Sequence, residues 1–313
     1  MISTMANSIE FLKLKTRHEV FRNKNLKKIT TISMVLLLVL SYKSIGVSSN
    51  YVLDSDESVS EKWAVLITVG EPKLDDKNAG DLYNILITSG WPKSNIYYLR
   101  ENEATKESIL SISDWLNDHD VQENDLVLFY FSMHGGKKDD VHPLDEPDNM
   151  DEFIIPYKND EKGDNILDDE LTPMFEDINT EKLVIIFESC YSGGMIDGSN
   201  DLKKTGRIVI TSTNVNETSY PYSLFFSKKG FLFAYYLIKG LDGRADKNND
   251  GFISAEESYE YTRIYTIKKS TIYAYLLFIF HKTLQNHIQH PQIYDGWPSE
   301  ENNEEQLKII ALS

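Results

Sequence analysis

Cys190 is the only cysteine in 313 residues, so no intramolecular disulfide braces this chain. Also missing is any run near the 20 or so apolar residues that a membrane-spanning helix needs. The apolar stretch behind the basic start, Ile29–Leu40, is only 12 residues long. Positive charge is scarce beyond that start. Residues 1–28 carry a net +5 and Lys43 adds one, so residues 51–313 hold −23 against −17 for the whole chain. A body this acidic excludes binding to a phosphate backbone, and no nucleic-acid partner is expected. It suits divalent cations and cationic peptides. No internal repeat is present.

What is there first is a basic flank, Lys13, Lys15, Arg17, Arg22, Lys24, Lys27 and Lys28, ahead of that short apolar stretch. This order reads as a secretory signal, with small residues for cleavage at Val47-Ser48-Ser49. The length of the basic flank keeps an uncleaved membrane anchor as the alternative. Either way the body is expected outside the cell, secreted or anchored on the outer face of its membrane. Residues 1–50 are assigned to this segment, 51–61 to an acidic, Ser-rich linker, 62–295 to one large domain and 296–313 to a tail.

Within the domain, strand-like and helix-like segments alternate. Continuous apolar runs at 63–69, 95–99, 125–131, 183–187 and 207–211 predict buried strands. Helical spacing appears at Ala79, Leu82, Ile85 and Leu86, and again at Ile109, Ile112, Trp115 and Leu116. A third helix carries Leu171, Phe175 and Ile178 with Asp168 as its cap, and a fourth covers 231–238. Such alternation predicts an α/β fold whose mostly parallel sheet is covered on both faces. The acidic stretch 139–170 reads as a solvated loop. Ile264–His281 reads as a core helix, with a membrane-touching or partner surface as the sharper alternative.

Groups that act in parallel sheets gather beyond the carboxyl ends of the strands. His134 lies three residues past Phe131, and Cys190 three past Phe187. If these strands are neighbours, thiol and imidazole emerge at one edge, as nucleophile and general acid/base. Gly135 follows the histidine, and its amide and that of Cys190 are candidate donors to an oxyanion. Either motif alone is ordinarily just a turn; it is the pairing at equivalent strand ends that carries the argument. His142 is the nearest competing base. His18, His119, His281, His287 and His290 read as surface or loop residues.

Phe129-Tyr130-Phe131-Ser132-Met133-His134-Gly135-Gly136 and Glu188-Ser189-Cys190-Tyr191-Ser192-Gly193-Gly194 resemble the paired motifs of caspase-like cysteine peptidases, the group of caspases, metacaspases and legumains. The segment from Asp151 to Tyr157, followed by Ile166–Leu171, is similar to that between histidine and cysteine in metacaspases and prokaryotic members. Glu217-Thr218-Ser219-Tyr220 leans toward legumains. The resemblance covers about residues 62–295. It implies a three-layer α/β/α sandwich and hydrolysis of peptide or protein substrates through an acyl-enzyme on Cys190. It also implies an acidic pocket for a basic P1 side chain, with Glu188 and Asp81 as its carboxylates and Ser212 on its wall. A legumain-like transpeptidase is the alternative in the same chemistry. A non-catalytic calcium-binding interaction protein on a peptidase fold is the alternative outside it. No organic cofactor is expected.

The segment from Asp246 to Glu257 matches a twelve-residue EF-hand loop. Asp246, Asn248, Asp250 and Glu257 take positions 1, 3, 5 and 12, with the Phe252 carbonyl at 7 and Ser254 at 9. Gly251 permits the turn at 6. Ca2+ in a structural role is therefore expected, and no second loop of this kind is present to pair with it.

Overall fold

The computed structural model describes residues 60–70, 75–140, 146–157, 165–198, 202–224, 227–281, 288–299 and 305–312, without the side chains of 223–229 and 276–281. The expected signal or anchor and all of its linker but Ser60 and Glu61 lie outside the described residues, as do His18, His142 and His287.

Four apolar runs become parallel neighbours: β1 (Lys62–Thr68), β3 (Leu126–Ser132), β7 (Lys182–Glu188) and β8 (Arg207–Thr211). With β2 (Ile96–Arg100) and β12 (Gln292–Asp295) they form a six-stranded sheet in the order β2-β1-β3-β7-β8-β12. Only β12 runs antiparallel, against β8. Runs without polar alternation suit strands buried on both faces.

Alternate residues feed two cores. Val65, Ile67, Phe129 and Phe131 face α2 (Lys106–Leu110), α3 (Ile112–Asp118) and α4 (Asp168–Glu176). Ala64, Leu66, Leu128 and Ile186 face α1 (Asp75–Thr88), α5 (Leu232–Lys239) and α6 (Ala255–His281). The result is a three-layer α/β/α sandwich on a mostly parallel sheet.

Several details differ from the sequence reading. The single helix expected around Trp115 is two, broken at Ser111 (φ −90°, ψ 8°). Asp168 is the first residue of α4 rather than its cap. The stretch expected mostly as a solvated loop supplies β5 (Met150–Ile154) and β6 (Ile166–Leu167) to an antiparallel ladder that β4 (Gly135–Asp139) opens. In α6, Ser258, Thr262, Thr266 and Ser270 are buried, while Ile264, Ile272 and Tyr275 are exposed. A stripe of small hydroxyl residues at i, i+4 spacing faces inward here. Ser258, Thr262 and Ser270 each return their hydroxyl to a carbonyl in the preceding turn, so burial leaves these groups satisfied. None of the helices described is long and apolar enough to cross a membrane.

β9 (Pro221–Leu224) and β10 (Ser227–Phe231) pair antiparallel as a separate two-stranded sheet. The tail is not an appendage. β13 (Lys308–Ala311) pairs antiparallel with β11 (Phe252–Ser254), and Leu307, Ile309 and Ile310 join the second core.

Candidate active site

The register of β3 against β7 sets the site. Phe131 lies opposite Phe187 and Ser132 opposite Glu188, so His134 and Cys190 stand two residues past the same ladder rung. The Met133 N–H donates to the Glu188 carbonyl at 3.3 Å and carries the alignment past the strand ends. His134 and Cys190 line one cavity of about 240 Å3 with Asp75, Glu188, Ser219 and Phe231. His134 is exposed and Cys190 half-buried. A larger cavity, about 630 Å3, lies against α6 beside Glu256 and Tyr261, and neither His134 nor Cys190 lines it.

Cys190 is held from both sides. On one side the Ser189 carbonyl accepts from the Ser212 hydroxyl at 3.0 Å and from the Thr213 hydroxyl at 3.3 Å. On the other, Tyr191 takes a left-handed conformation (φ 60°), and its N–H donates to the Glu217 carbonyl at 2.8 Å. Burial pushes the Cys190 thiol above its ordinary range, and the Glu188 charge adds to this; the Ser219 backbone N–H acts in the opposite direction. Gly135 opens β4 with its α-carbon against the Cys190 carbonyl.

Glu188 is buried at the end of β7. One carboxylate oxygen accepts from the Ser219 hydroxyl, and the other from the Ala234 N–H at 2.8 Å, in the first turn of α5. Burial nevertheless pushes it up to about 8, outweighing those two bonds, with Asp75 adding to the rise.

The expected second acid is elsewhere. Asp81 points outward from α1 in an ion pair with Lys77 and does not line the cavity. Helical geometry explains this. Asp75, Asn78, Ala79, Leu82 and Leu86 make the buried stripe, and position 81 falls beside it. Asp75 is the cavity's acid instead; its Oδ1 accepts from the Ser132 hydroxyl at 2.8 Å. Asn78 braces the wall by accepting the Phe231 N–H at 2.8 Å. Ser212 is fully buried and sits behind the nucleophile, not on the cavity wall.

A group that the sequence reading missed lies next door. Carboxylate oxygens of Glu146, Glu152 and Asp197 all fall within 4.8 Å of one another. Glu152 is 1% exposed, and neither of its carboxylate oxygens has a hydrogen-bond partner. Burial pushes it up to about 9, helped by Asp197 and Asp168. Its carboxylate lies against Gly194, in the turn that follows Cys190, where a Cβ would overlap it. The buried, unpartnered oxygens of Glu152 beside two further carboxylates fit a hard cation with oxygen ligands.

The EF-hand-like segment closes as a loop between α5 and α6. Asn249 and Gly251 are left-handed (φ 59° and 82°). Asp246 accepts from the Asp250 and Gly251 amides at 3.2 and 3.3 Å, and Asn248 from the Asp250 amide at 2.8 Å. Asp250 accepts from the Phe252 amide at 2.9 Å. Glu257 accepts from Lys247 at 3.2 Å and Ser254 at 3.3 Å. Ile253 pins the loop to the core. The strand pairing that a second such loop ordinarily provides comes from β13, and Lys308 bonds Asp250 at 2.8 Å.

Comparison with known proteins agrees with this geometry. Residues 84–199 match the family described as "Metacaspase, peptidase C14 domain". Metacaspase-1 of Candida albicans is 29% identical over 173 residues, 50% of this chain and 38% of that protein. Metacaspase-1A of Aspergillus oryzae is 34% identical over 119 residues, 34% of this chain and 27% of that protein. The chain thus spans less than two-fifths of the length of these relatives.

Proposed function

We propose that the chain is a caspase-like cysteine endopeptidase acting through a thioester on Cys190, a reading supported by the match of residues 84–199 to the metacaspase peptidase domain. The observation that carries this is the β3–β7 register, which delivers His134 and Cys190 to one cavity. The Cys190 sulfur attacks the scissile carbonyl carbon, and its proton passes to His134. The C–N bond breaks as His134 gives that proton to the leaving amine. Water then attacks the thioester, His134 accepts its proton, and the thiol is regenerated as the carboxylic acid departs. The amides of Gly135 and Cys190 serve the oxyanion in both halves.

The preferred P1 side chain is basic. Asp75 and Glu188 on the cavity support this, since a cation entering between two acids forms charge-assisted bonds. Calcium belongs to the same reading. Glu146, Glu152 and Asp197 would hold one ion beside the turn after Cys190, and the 246–257 loop a second. An ion bound there would supply positive charge that offsets the neighbouring carboxylates; bond-breaking stays with Cys190 and His134. Export is supported by the basic-then-apolar order of residues 1–50, and cell fractionation tests it.

A peptide panel varying P1 among Arg, Lys, Asn and Asp tests the central claim. Cleavage by the wild type and none by Cys190→Ala is expected, with Arg and Lys favoured. No cleavage of any peptide, with and without Ca2+, would end the peptidase reading. Products extended by an added amine would mark a transpeptidase.

A further inference from the structure

His290 reads from sequence as a loop residue, yet it is bound at two points by the segment that holds the nucleophile. Its backbone N–H donates to Glu217 Oε2 at 2.7 Å, and its Nδ1 lies 2.6 Å from Glu217 Oε1. A carboxylate only accepts, so Nδ1 carries the proton. The Glu217 side chain is 10% exposed and the His290 side chain 37%, so water competes only weakly for the carboxylate. Neighbouring Gln289 is fully buried; its amide nitrogen donates to the Ser212 carbonyl at 2.8 Å.

What Glu217 does with its remaining groups gives the pair its meaning. Its carbonyl accepts the N–H of Tyr191, the residue after the nucleophile, at 2.8 Å. Its Oε2 also accepts the Asn214 N–H at 3.2 Å, and its own N–H returns to the Asn214 carbonyl at 3.1 Å. The 214–217 turn is thereby closed on itself and tied to His290. Two residues on, Ser219 holds Glu188 with its hydroxyl and directs its backbone N–H at the Cys190 thiol. One turn therefore touches the nucleophile from both sides, and its outer anchor is His290.

We propose that Glu217 and His290 are positioning residues for Cys190. The imidazole fixes the Glu217 carboxylate, the carboxylate fixes the 214–219 turn, and the turn holds Tyr191 and Ser219 where the thiol is productive. The left-handed Tyr191 makes such an anchor necessary, because a non-glycine residue in that region relaxes unless its surroundings hold it. No described contact carries His290 to the cavity itself, and its effect passes through Glu217.

The inference rests on the peptidase reading only for the identity of the nucleophile, so the test reads thiol reactivity. Cys190 alkylation by iodoacetamide is followed in the full chain, with thermal melting in parallel. His290→Ala is expected to slow alkylation by on the order of 10–100-fold, the scale set by ångström-level misplacement of a reacting group. His290→Asn places an amide donor near the Nδ1 position and is expected to restore most of the rate. Glu217→Gln, which keeps the shape of the side chain, is expected to slow it as well. If His290→Ala melts out, Glu217→Gln and His290→Asn still decide the matter. Wild-type alkylation in His290→Ala or in Glu217→Gln would overturn the proposal. So would His290→Asn that is folded but as slow as Glu217→Gln. A chain that cleaves no peptide yet shows the expected pattern would sink the peptidase reading alone. A chain that cleaves peptide and is indifferent to both residues would sink this one alone.

Discussion

The α-carbon of Gly135 packs directly on the carbonyl of Cys190, and a side chain there would also meet Ser189 Cβ at 3.1 Å. Backbone opposes backbone at this point, so neither side can give way by a rotamer change. Gly135→Ala is expected to cost about 1–3 kcal/mol in urea denaturation and to slow Cys190 alkylation. Unchanged alkylation would show that the β4 start and the nucleophile turn are not coupled.

Thiol and imidazole act as a pair in the proposed reaction. His134→Ala is expected to lower kcat by about 10²–10⁴ while melting stays near the wild type. Burial holds the thiol above its ordinary range, so free Cys190 is protonated at neutral pH, and its alkylation rate rises as pH climbs through that range. A rate that is flat between pH 6 and 10 would contradict the buried setting.

Asp75 and Asp81 separate the cavity from the surface. Asp75→Asn is expected to reduce kcat/KM for an Arg substrate by about 10–100-fold, the equivalent of one charge-assisted bond of 1.5–3 kcal/mol. Asp81→Asn should leave it unchanged, since Asp81 points out of the cavity and pairs with exposed Lys77. The opposite pattern would return the pocket acid to position 81.

How far the sequence reached depends on what kind of signal each part leaves. His134 and Cys190 were legible because apolar runs end at a fixed distance before each, and strand pairing turns that distance into proximity. Asp75 was not, because choosing among three aspartates near one helix requires its rotation, and only Asp75 lies on the stripe that faces the cavity. The ladder of β4 and β5 was hidden by its composition, Gly-Gly-Lys-Lys-Asp and Met-Asp-Glu-Phe-Ile, which carries little intrinsic strand preference. Glu152 shared that camouflage: among many acidic neighbours it looks solvated, and only the fold buries it. In α6 the error runs the other way, with hydroxyl residues inside and apolar ones outside.

Calcium can be assigned to either site by paired substitutions. Glu152→Gln is expected to remove a Ca2+-binding event in calorimetry together with any Ca2+ dependence of Cys190 alkylation, because its carboxylate touches Gly194 in the turn after the nucleophile. Asp250→Asn should remove a different event and shift melting rather than alkylation, since its loop braces α6 and β13. Identical calorimetry for both variants and the wild type would show that neither group of oxygens holds the ion.

Arg207 gives a prediction about stability alone. It opens β8 at 6% exposure, its Nη1 has no hydrogen-bond partner, and no carboxylate among the described residues pairs with it. Burial lowers it to about 10, well below the ordinary guanidinium range. A base depressed in the folded state destabilises that state wherever it is charged. The penalty is therefore complete below about pH 10 and lifts only as pH rises above that value toward the ordinary guanidinium range. Removing the charge while keeping the volume should relieve it at neutral pH. Arg207→Met is expected to raise unfolding free energy by about 1–4 kcal/mol in urea denaturation, with alkylation of Cys190 unchanged. A lower urea midpoint in the variant would mean that the guanidinium has a partner that stabilises it.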